Sequence, residues 1–409
     1  MKKRILSLLT AACLMLTLAP AAFATDGADD LQAQIIAAEV GSTITLTGNV
    51  TLTSPLTIDK AITIDGTASK YAINYTGTST SEAAVQVTTS GQVTLQNLIV
   101  NATNVNGRAV KLVGSSTCVN FTLSNSVMNV GNRGIWFDNN CCNSNSTITV
   151  SDSVIQNSQL PEGENYDTWA PNADVRGLSL WDLNGAHVVI ADSTIQGFGY
   201  AINIAGTQGA AGARDANGAV IDITNSNIKG WSALNVWAVN TTYHITNSNL
   251  IGVNCSTYSA HSFATIALND GMYGTSPLTR KPNTFNISGG SIYAYTWNDG
   301  TATDVAIRVE KERTTKFNFS SGADGKPVVI YVANYLVPYV FYSITCTADE
   351  LRSYVASSKV QGTDNCYAFT VKNGTETEIS LAPPVSNTLA ELEADEPINI
   401  FMSCGGDSI

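Results

Sequence analysis

Apolar and polar residues alternate along the middle of the chain in a short motif that recurs many times. Each copy contains a small residue, an apolar residue, a variable residue and a second apolar residue, and successive copies lie 24 to 43 residues apart. Alternation with a period of two predicts a β-strand with one buried face. The small residues of the copies are Ala84, Ala109, Gly134, Gly177, Ala201, Ala233, Thr265 and Ala306.

A second type of alternating segment lies between these copies, for example VTLQNLIV at 93–100 and IDITNSNI at 221–228. Each such segment is broken by an Asn, Asp or Gly, which tolerate the left-handed backbone of a tight corner. We expect corners at Asn97, Asn125, Asp152, Asp192, Asn225, Asn247 and Gly289.

No segment with helical periodicity separates the two strand types, so the pattern does not fit βαβ units. It predicts an all-β fold, a right-handed parallel β-helix over 41–326 in which each turn stacks on the last at about 4.8 Å. We expect residues 25–40 to include a short capping helix at 31–40. Residues 327–409 should form a small α/β cap with an acidic tail, including a strand pair at 328–346 and a short helix at 347–358.

The first 24 residues have the pattern of a signal peptide. A basic start precedes an apolar run at 5–18, and Ala22-Phe23-Ala24 resembles a signal-peptidase site. The run is short for a membrane anchor, so we expect a secreted, extracellular protein without a transmembrane segment after signal removal. Charged residues make up only 13% of the chain, which is typical of extracellular repeat proteins. The net charge of −12 argues against a nucleic-acid partner.

The chain has eight cysteines, and one of them, Cys13, lies in the predicted signal peptide. Disulfides form readily in exported proteins, and the odd number that remains leaves at least one cysteine unpaired or paired between chains. Cys118 lies about one turn from Cys141 and Cys142, so a disulfide between turns is expected there. A Cys346–Cys366 disulfide would tie the C-terminal cap. The spacing of cysteines and histidines predicts no metal site.

Three arginines stand directly before the small residue in three consecutive copies of the motif: Arg108, Arg133 and Arg176. Stacking of turns would place them on one edge, about one strand spacing apart. Because arginine binds carboxylates in a bidentate manner, this column could hold an acidic sugar. Alternatively, it could form ion pairs with Asp138, Asp182 and the acidic residues of an insertion at 156–175.

Outward positions on the first strand type carry Trp136, Trp181 and Trp237 together with polar residues. Tryptophan on the water-facing side of a strand is uncommon. Flat aromatic faces beside hydrogen-bonding groups are suited to sugar rings, which predicts a groove walled by the insertions. Overlying loops could instead bury these tryptophans. The polar members of the predicted site are Asp138, Asn203 and Asn235.

The repeat over 41–330 resembles the pectate-lyase-like superfamily of right-handed β-helices, in particular secreted bacterial repeat proteins. Hydrolases of that superfamily use Asn-Thr-Asp, Gly-His-Gly and Arg-Ile-Lys motifs, which are absent here. Asp152 and Asp192 form the nearest pair of carboxylates in a column, and a role as corner residues interchangeable with Asn explains them better than catalysis does. Lyases of the superfamily use an Arg or Lys base and often Ca²⁺, so a lyase reading would imply Ca²⁺ as cofactor.

Three hypotheses about function follow. The first is a secreted or surface protein that binds a polysaccharide or glycan without a cofactor. The second is a lyase acting on an acidic polysaccharide with an arginine base. The third is a structural or adhesive spacer without catalytic activity. The missing hydrolase motifs favour the first.

Overall fold

The structure is a computed structural model, and its described part contains one helix and 32 strands, most of which stack into a parallel β-helix. It describes the following residues: 23–25, 28–114, 118–159, 175–207, 215–253, 264–268, 282–294, 305–309, 315–332, 341–342, 355–359, 367–371 and 373–379. Strands, numbered in chain order, form three long ladders, so each turn contributes three strands. The second segment type of the sequence therefore supplies two strands, which meet at its Asn, Asp or Gly.

Sheet A is the first ladder, and its strands are parallel up to the last, which runs antiparallel to its neighbour. Its strands are β1 (Phe23–Thr25), β2 (Thr43–Leu46), β5 (Ile62–Asp65), β8 (Gln92–Gln96), β11 (Asn120–Ser124), β14 (Thr147–Ser151), β17 (His187–Ala191), β19 (Asp215–Thr224), β21 (Val239–Thr246), β24 (Thr284–Ser288), β27 (Thr315–Ser320) and β32 (Thr375–Ile379).

Sheet B is the second ladder. Its strands are β3 (Val50–Leu52), β6 (Ala72–Tyr75), β9 (Ile99–Ala102), β12 (Val127–Val130), β15 (Val154–Asn157), β22 (Asn249–Gly252), β25 (Ser291–Tyr293), β28 (Val329–Val332), β30 (Val355–Lys359) and β31 (Tyr367–Val371). The last two pair antiparallel and form part of the C-terminal cap.

Sheet C is the third ladder and carries the motif with the small residue. Its strands are β4 (Leu56–Ile58), β7 (Val85–Val87), β10 (Arg108–Leu112), β13 (Arg133–Phe137), β16 (Arg176–Trp181), β23 (Ala264–Leu268), β26 (Val305–Val309) and β29 (Phe341–Tyr342). Two long strands, β18 (Thr194–Ala205) and β20 (Asn227–Val236), run through the corner and join sheets B and C.

The core consists of apolar columns that run along the axis, as the alternation predicts. One column is in unbroken register on sheet C: Val85, Val110, Ile135, Leu178, Ile202, Leu234, Ile266 and Ile307. All of these side chains are buried. Near the C-terminal end, the rings of Tyr243, Phe285 and Phe317 stack with centroid distances of 4.1 and 4.7 Å.

The corners between sheets A and B have the predicted left-handed backbone. The six Asn and Asp corner residues have φ between 45° and 55°, and Gly289 has φ 64°. A buried serine follows the corner residue in five consecutive turns. Each hydroxyl donates to the carbonyl two residues earlier and accepts the N–H of the residue in the equivalent position one turn before. These serines, which form a ladder, are Ser126, Ser153, Ser193, Ser226 and Ser248.

The N-terminal cap is the helix α1 (Ala28–Ala37), which buries Leu31 and Ile35 against the first turn. The Gln32 side chain exchanges two hydrogen bonds with the backbone of Thr57. The predicted capping helix is thus present and begins and ends three residues earlier than expected. Strand β1 spans the predicted signal-peptidase site, and cleavage there stays a prediction.

The helix expected at 347–358 is wrong over its last residues. Val355–Lys359 is strand β30, because antiparallel pairing with β31 outweighs local helix propensity. Residues 347–354 lie outside the described residues. In the described part of the chain, no helix is long and apolar enough to cross a membrane.

Candidate functional site

The arginine column predicted on the edge of sheet C is in register. Arg108 pairs with Arg133 across β10 and β13, and Arg133 pairs with Arg176 across β13 and β16. Arg108 is only 6% exposed, and its Nη1 donates to the carbonyls of Ser79 and Asn106, both at 3.2 Å. The other two arginines are half-buried. Arg108 therefore holds the backbone at Ser79 and Asn106, and its side chain is not open to solvent.

Three cations surround the indole of Trp136. The ring centroid lies 4.2 Å from Lys111 Nζ, 5.0 Å from Arg133 Cζ and 5.3 Å from Arg108 Cζ. All three distances are within the range of cation–π attraction, about 6 Å. Register explains the grouping, since Lys111 pairs directly with Trp136 on the outer face of sheet C.

Asp138 completes this group, since its Oδ2 lies 3.3 Å from Lys111 Nζ. We call Arg108, Lys111, Arg133, Trp136 and Asp138 the Trp136 cluster; its members carry three positive charges and one negative charge. Asp138 thus forms an ion pair with Lys111, whereas the alternative expected one with the arginine column. Lys111 was missed by the sequence prediction, and its outward position one turn before Trp136 was the signal that could have revealed it.

The second predicted acidic partner, Asp182, pairs with none of the arginines that the structure describes. Its carboxylate accepts the backbone N–H of Thr207 and the Thr207 hydroxyl, the latter at 2.8 Å. Asp182 has φ 51° and holds the chain just after β18. The acidic residues of the insertion between 160 and 174 lie outside the described residues.

The expectation that the asparagine column faces water is wrong. Asn203 and Asn235 are 2% and 1% exposed, and Asn235 Nδ2 donates to Asn203 Oδ1 at 2.7 Å. Ser179 precedes them in the same column and is also buried. This outward column of sheet C is therefore buried at Ser179, Asn203 and Asn235.

The other two predicted tryptophans lie in these later turns and, like Trp136, are neither fully buried nor exposed. Trp181 is partly buried and packs against the hydrophobic core, and Trp237 is half-buried. None of the three predicted tryptophans is therefore fully exposed or fully buried, and the choice between an open groove and overlying loops stays a prediction. Outward positions in the earlier turns, at Gln86, Lys111 and Trp136, are half-buried rather than closed over.

The expected disulfide between turns is absent, since Cys118, Cys141 and Cys142 are all free thiols. Cys118 Sγ accepts a hydrogen bond from Ser146 Oγ at 3.4 Å, while the sulfurs of Cys141 and Cys142 contact each other at 3.5 Å. The hydrogen bond to Cys142 and burial raise the pKa of Cys141. Cys346 and Cys366 lie outside the described residues.

Two further groups of polar residues occur on sheet A and its corners. His187 Nε2 lies 2.7 Å from Asp222 Oδ2 on the outer face. Asp152 and Asp192 occupy exposed corners with φ 49° and 51°, in keeping with a turn role. Among the described residues, no group of three His, Cys, Asp or Glu side chains could hold a metal ion.

No protein-family model matches the chain, and no curated protein matches it. Among solved structures, the chain is similar to one described as Geobacillus virus E2 - ORF18. The similarity covers 94% of this chain and 82% of that chain, with 13% sequence identity and a TM-score of 0.38.

Proposed function

We propose that this chain is an exported β-helix protein that binds an acidic polysaccharide at the Trp136 cluster. The observation that carries the proposal is the convergence of Arg108, Lys111 and Arg133 on one indole. An acidic sugar needs a cation for its carboxylate and a flat apolar surface for its ring. Lys111, Arg133 and Trp136 combine both at half-buried positions of sheet C, and the buried Arg108 adds a third positive charge.

The overall charge of the chain sharpens this proposal. A net charge of −12 repels an acidic polymer at long range, so attraction has to come from a local concentration of positive charge. Binding should therefore be weak away from the cluster and sensitive to salt. The signal-peptide pattern and the resemblance to pectate-lyase-like proteins support an extracellular polysaccharide as partner.

The half-buried outward positions from Gln86 to Trp136 span two strand spacings, or about 10 Å along the axis. A ligand at the cluster would thus contact a short stretch of the solenoid. We expect oligosaccharides to occupy the site as well as polymers do.

Bond cleavage by a lyase is the less well supported alternative. A lyase of this kind needs an arginine or lysine placed to remove a proton, but Arg108 donates to two backbone carbonyls and Lys111 pairs with Asp138. Both groups are engaged in ways that suit a fixed cationic surface. A spacer role would not account for the convergence of three cationic side chains on Trp136.

The proposal can be tested by calorimetric titration with polygalacturonate oligosaccharides, with neutral dextran as control ligand. We expect Lys111→Ala to weaken binding about tenfold, or about 1.4 kcal/mol, since a charge-assisted hydrogen bond is lost and Asp138 loses its lysine. Lys326→Ala is the matched control, because it removes the same charge from an exposed lysine outside the cluster. It should change affinity less than twofold.

Asp138→Asn should have the opposite effect on the affinity for the acidic ligand. Removing the cluster's negative charge should strengthen the binding of an acidic ligand several-fold. Equal effects of Lys111→Ala and Lys326→Ala, or equal binding of dextran, would show that the cluster is not the site. A rise in ultraviolet absorbance from unsaturated uronic ends, with or without Ca²⁺, would favour the lyase instead.

A further inference from the structure

Two adjacent thiols lie in the turn that connects β13 to β14. Cys141 and Cys142 are both buried, and their sulfurs are 3.5 Å apart. Cys118, one turn away, has a different neighbour, because its sulfur accepts the Ser146 hydroxyl at 3.4 Å. The geometry therefore pairs Cys141 with Cys142 and not with Cys118.

We propose that Cys141 and Cys142 are a redox modification site that closes reversibly into a disulfide between adjacent residues. The sulfurs are already in contact, so closure needs a local adjustment of the turn rather than a movement between turns. Adjacent Cα atoms are only about 3.8 Å apart, less than the roughly 4.4–6.8 Å of ordinary disulfides. Such a bond is strained and easily reduced, which suits a reversible site.

The chemistry requires an oxidant, and we propose a small-molecule disulfide as its class. The Cys142 thiolate attacks one sulfur of the oxidant, forms a mixed disulfide and releases one thiolate. The Cys141 thiolate then attacks the Cys142 sulfur and releases the second. The two cysteine protons end on the two released thiols, so atoms and electrons balance.

The order of attack follows from the surroundings of the two cysteines. Cys141 is fully buried, whereas Cys142 keeps slight exposure, and burial together with the Cys142 hydrogen bond raises the pKa of Cys141. Closure should therefore be slow in the folded chain and fast while the turn is open during folding.

The pair also lies close to the Trp136 cluster, although this inference does not depend on ligand binding. The Cys141 N–H donates to the backbone carbonyl of Asp138 at 3.4 Å, in the same short turn. A constraint at 141–142 thus acts on the segment that positions the carboxylate paired with Lys111.

The test uses the full chain, unfolded with reductant and refolded in a series of reduced and oxidised glutathione mixtures. After acid quenching and unfolding, free thiols are alkylated and the digested peptides are analysed by mass spectrometry. We expect the peptide with both cysteines to lose both alkylation sites together in the more oxidising mixtures. It should then be lighter by two hydrogen atoms than the reduced peptide, and dithiothreitol should restore both thiols.

Cys118→Ser is the matched control, and it should leave the loss of both alkylation sites unchanged. Cys142→Ser should abolish the internal bond. The proposal is overturned if either cysteine is found linked to Cys118 or to any other cysteine. It is equally overturned if both thiols remain alkylated in the most oxidising mixture.

Discussion

Ser193 offers the sharpest test of how the corners between sheets A and B are stabilised. Its hydroxyl donates to the carbonyl of Ala191 at 2.7 Å and accepts the N–H of Ser153 at 3.1 Å. Ser193→Ala removes both bonds without changing the backbone. The Ala191 carbonyl keeps a partner, because the N–H of Asp152 also donates to it at 3.1 Å. The N–H of Ser153 is left without its acceptor inside the protein.

The expected cost follows from this difference between the two partners. An unsatisfied buried donor costs about 1–3 kcal/mol, and the carbonyl contributes little because it stays bonded. We therefore expect Ser193→Ala to lower the free energy of unfolding by about 1–3 kcal/mol. Ser226 makes the same pair of contacts one turn later, so Ser226→Ala should have a similar effect.

Urea unfolding measures the global effect, and hydrogen exchange measures the local one. Because stability in a solenoid is largely a sum over neighbouring repeats, amides in peptides that span Ser153 should lose protection first. Ser144→Ala, at an exposed serine, is the control and should stay within about 0.5 kcal/mol of the parent. The reasoning is refuted if Ser193→Ala behaves like Ser144→Ala and exchange at Ser153 is unchanged.

Two further predictions concern packing and pH. In Gly134→Ala, the new methyl group would clash with Ile155 Cγ2 and lie 2.6 Å from the Gly177 carbonyl oxygen. We therefore expect urea unfolding to show a destabilisation of about 1–3 kcal/mol. A stability equal to that of the parent would contradict the packing argument. Burial raises the pKa of Asp65, but hydrogen bonds from Asn97, Thr67 and Gln96 outweigh it and lower the pKa overall. That carboxylate stabilises the fold above its unfolded pKa of about 3.9, and the contribution is lost as pH falls through the lower folded value. In thermal unfolding, the parent should thus be more stable than Asp65→Asn at pH 7, and this difference in stability should disappear below about pH 4. A difference that persists in acid would show that the charge of Asp65 plays no part.

The features that could be predicted from the sequence are those set by local chemistry. Asn97 and Asp192 mark corners because their side chains tolerate positive φ, and both have it. The apolar columns follow from strict alternation, since a shift by one residue would turn every buried side chain outward. The serine ladder was visible too, as a serine after five successive corner residues, but its significance depends on hydrogen bonds between turns.

The parts that could not be predicted depend on how deeply each outward position is buried. Trp136 and Asn203 occupy the same outward column two turns apart, with Ser179 between them. Asn203 is buried, yet Trp136 is only half-buried. A strand pattern states which face a residue occupies, and it contains nothing about what covers that face. Cys118 and Cys141 failed as a predicted disulfide for a related reason, because a spacing of one turn brings backbones together without aiming their sulfurs at each other.

The surroundings of Arg108 and Arg133 also explain why this part of the arginine column is the best candidate for function. Stacked columns place like charges about one strand spacing apart, so each arginine must find acceptors, aromatic faces or ligands. Arg108 meets this need with the Ser79 and Asn106 carbonyls, and Arg133 lies against Trp136. A ligand carboxylate would add to this arrangement without disturbing the fold, because the structural bonds are made to backbone. For this reason, substitutions at Lys111 and Asp138 should change ligand affinity and leave the stability of the fold unchanged. A substitution at Arg108 should change both.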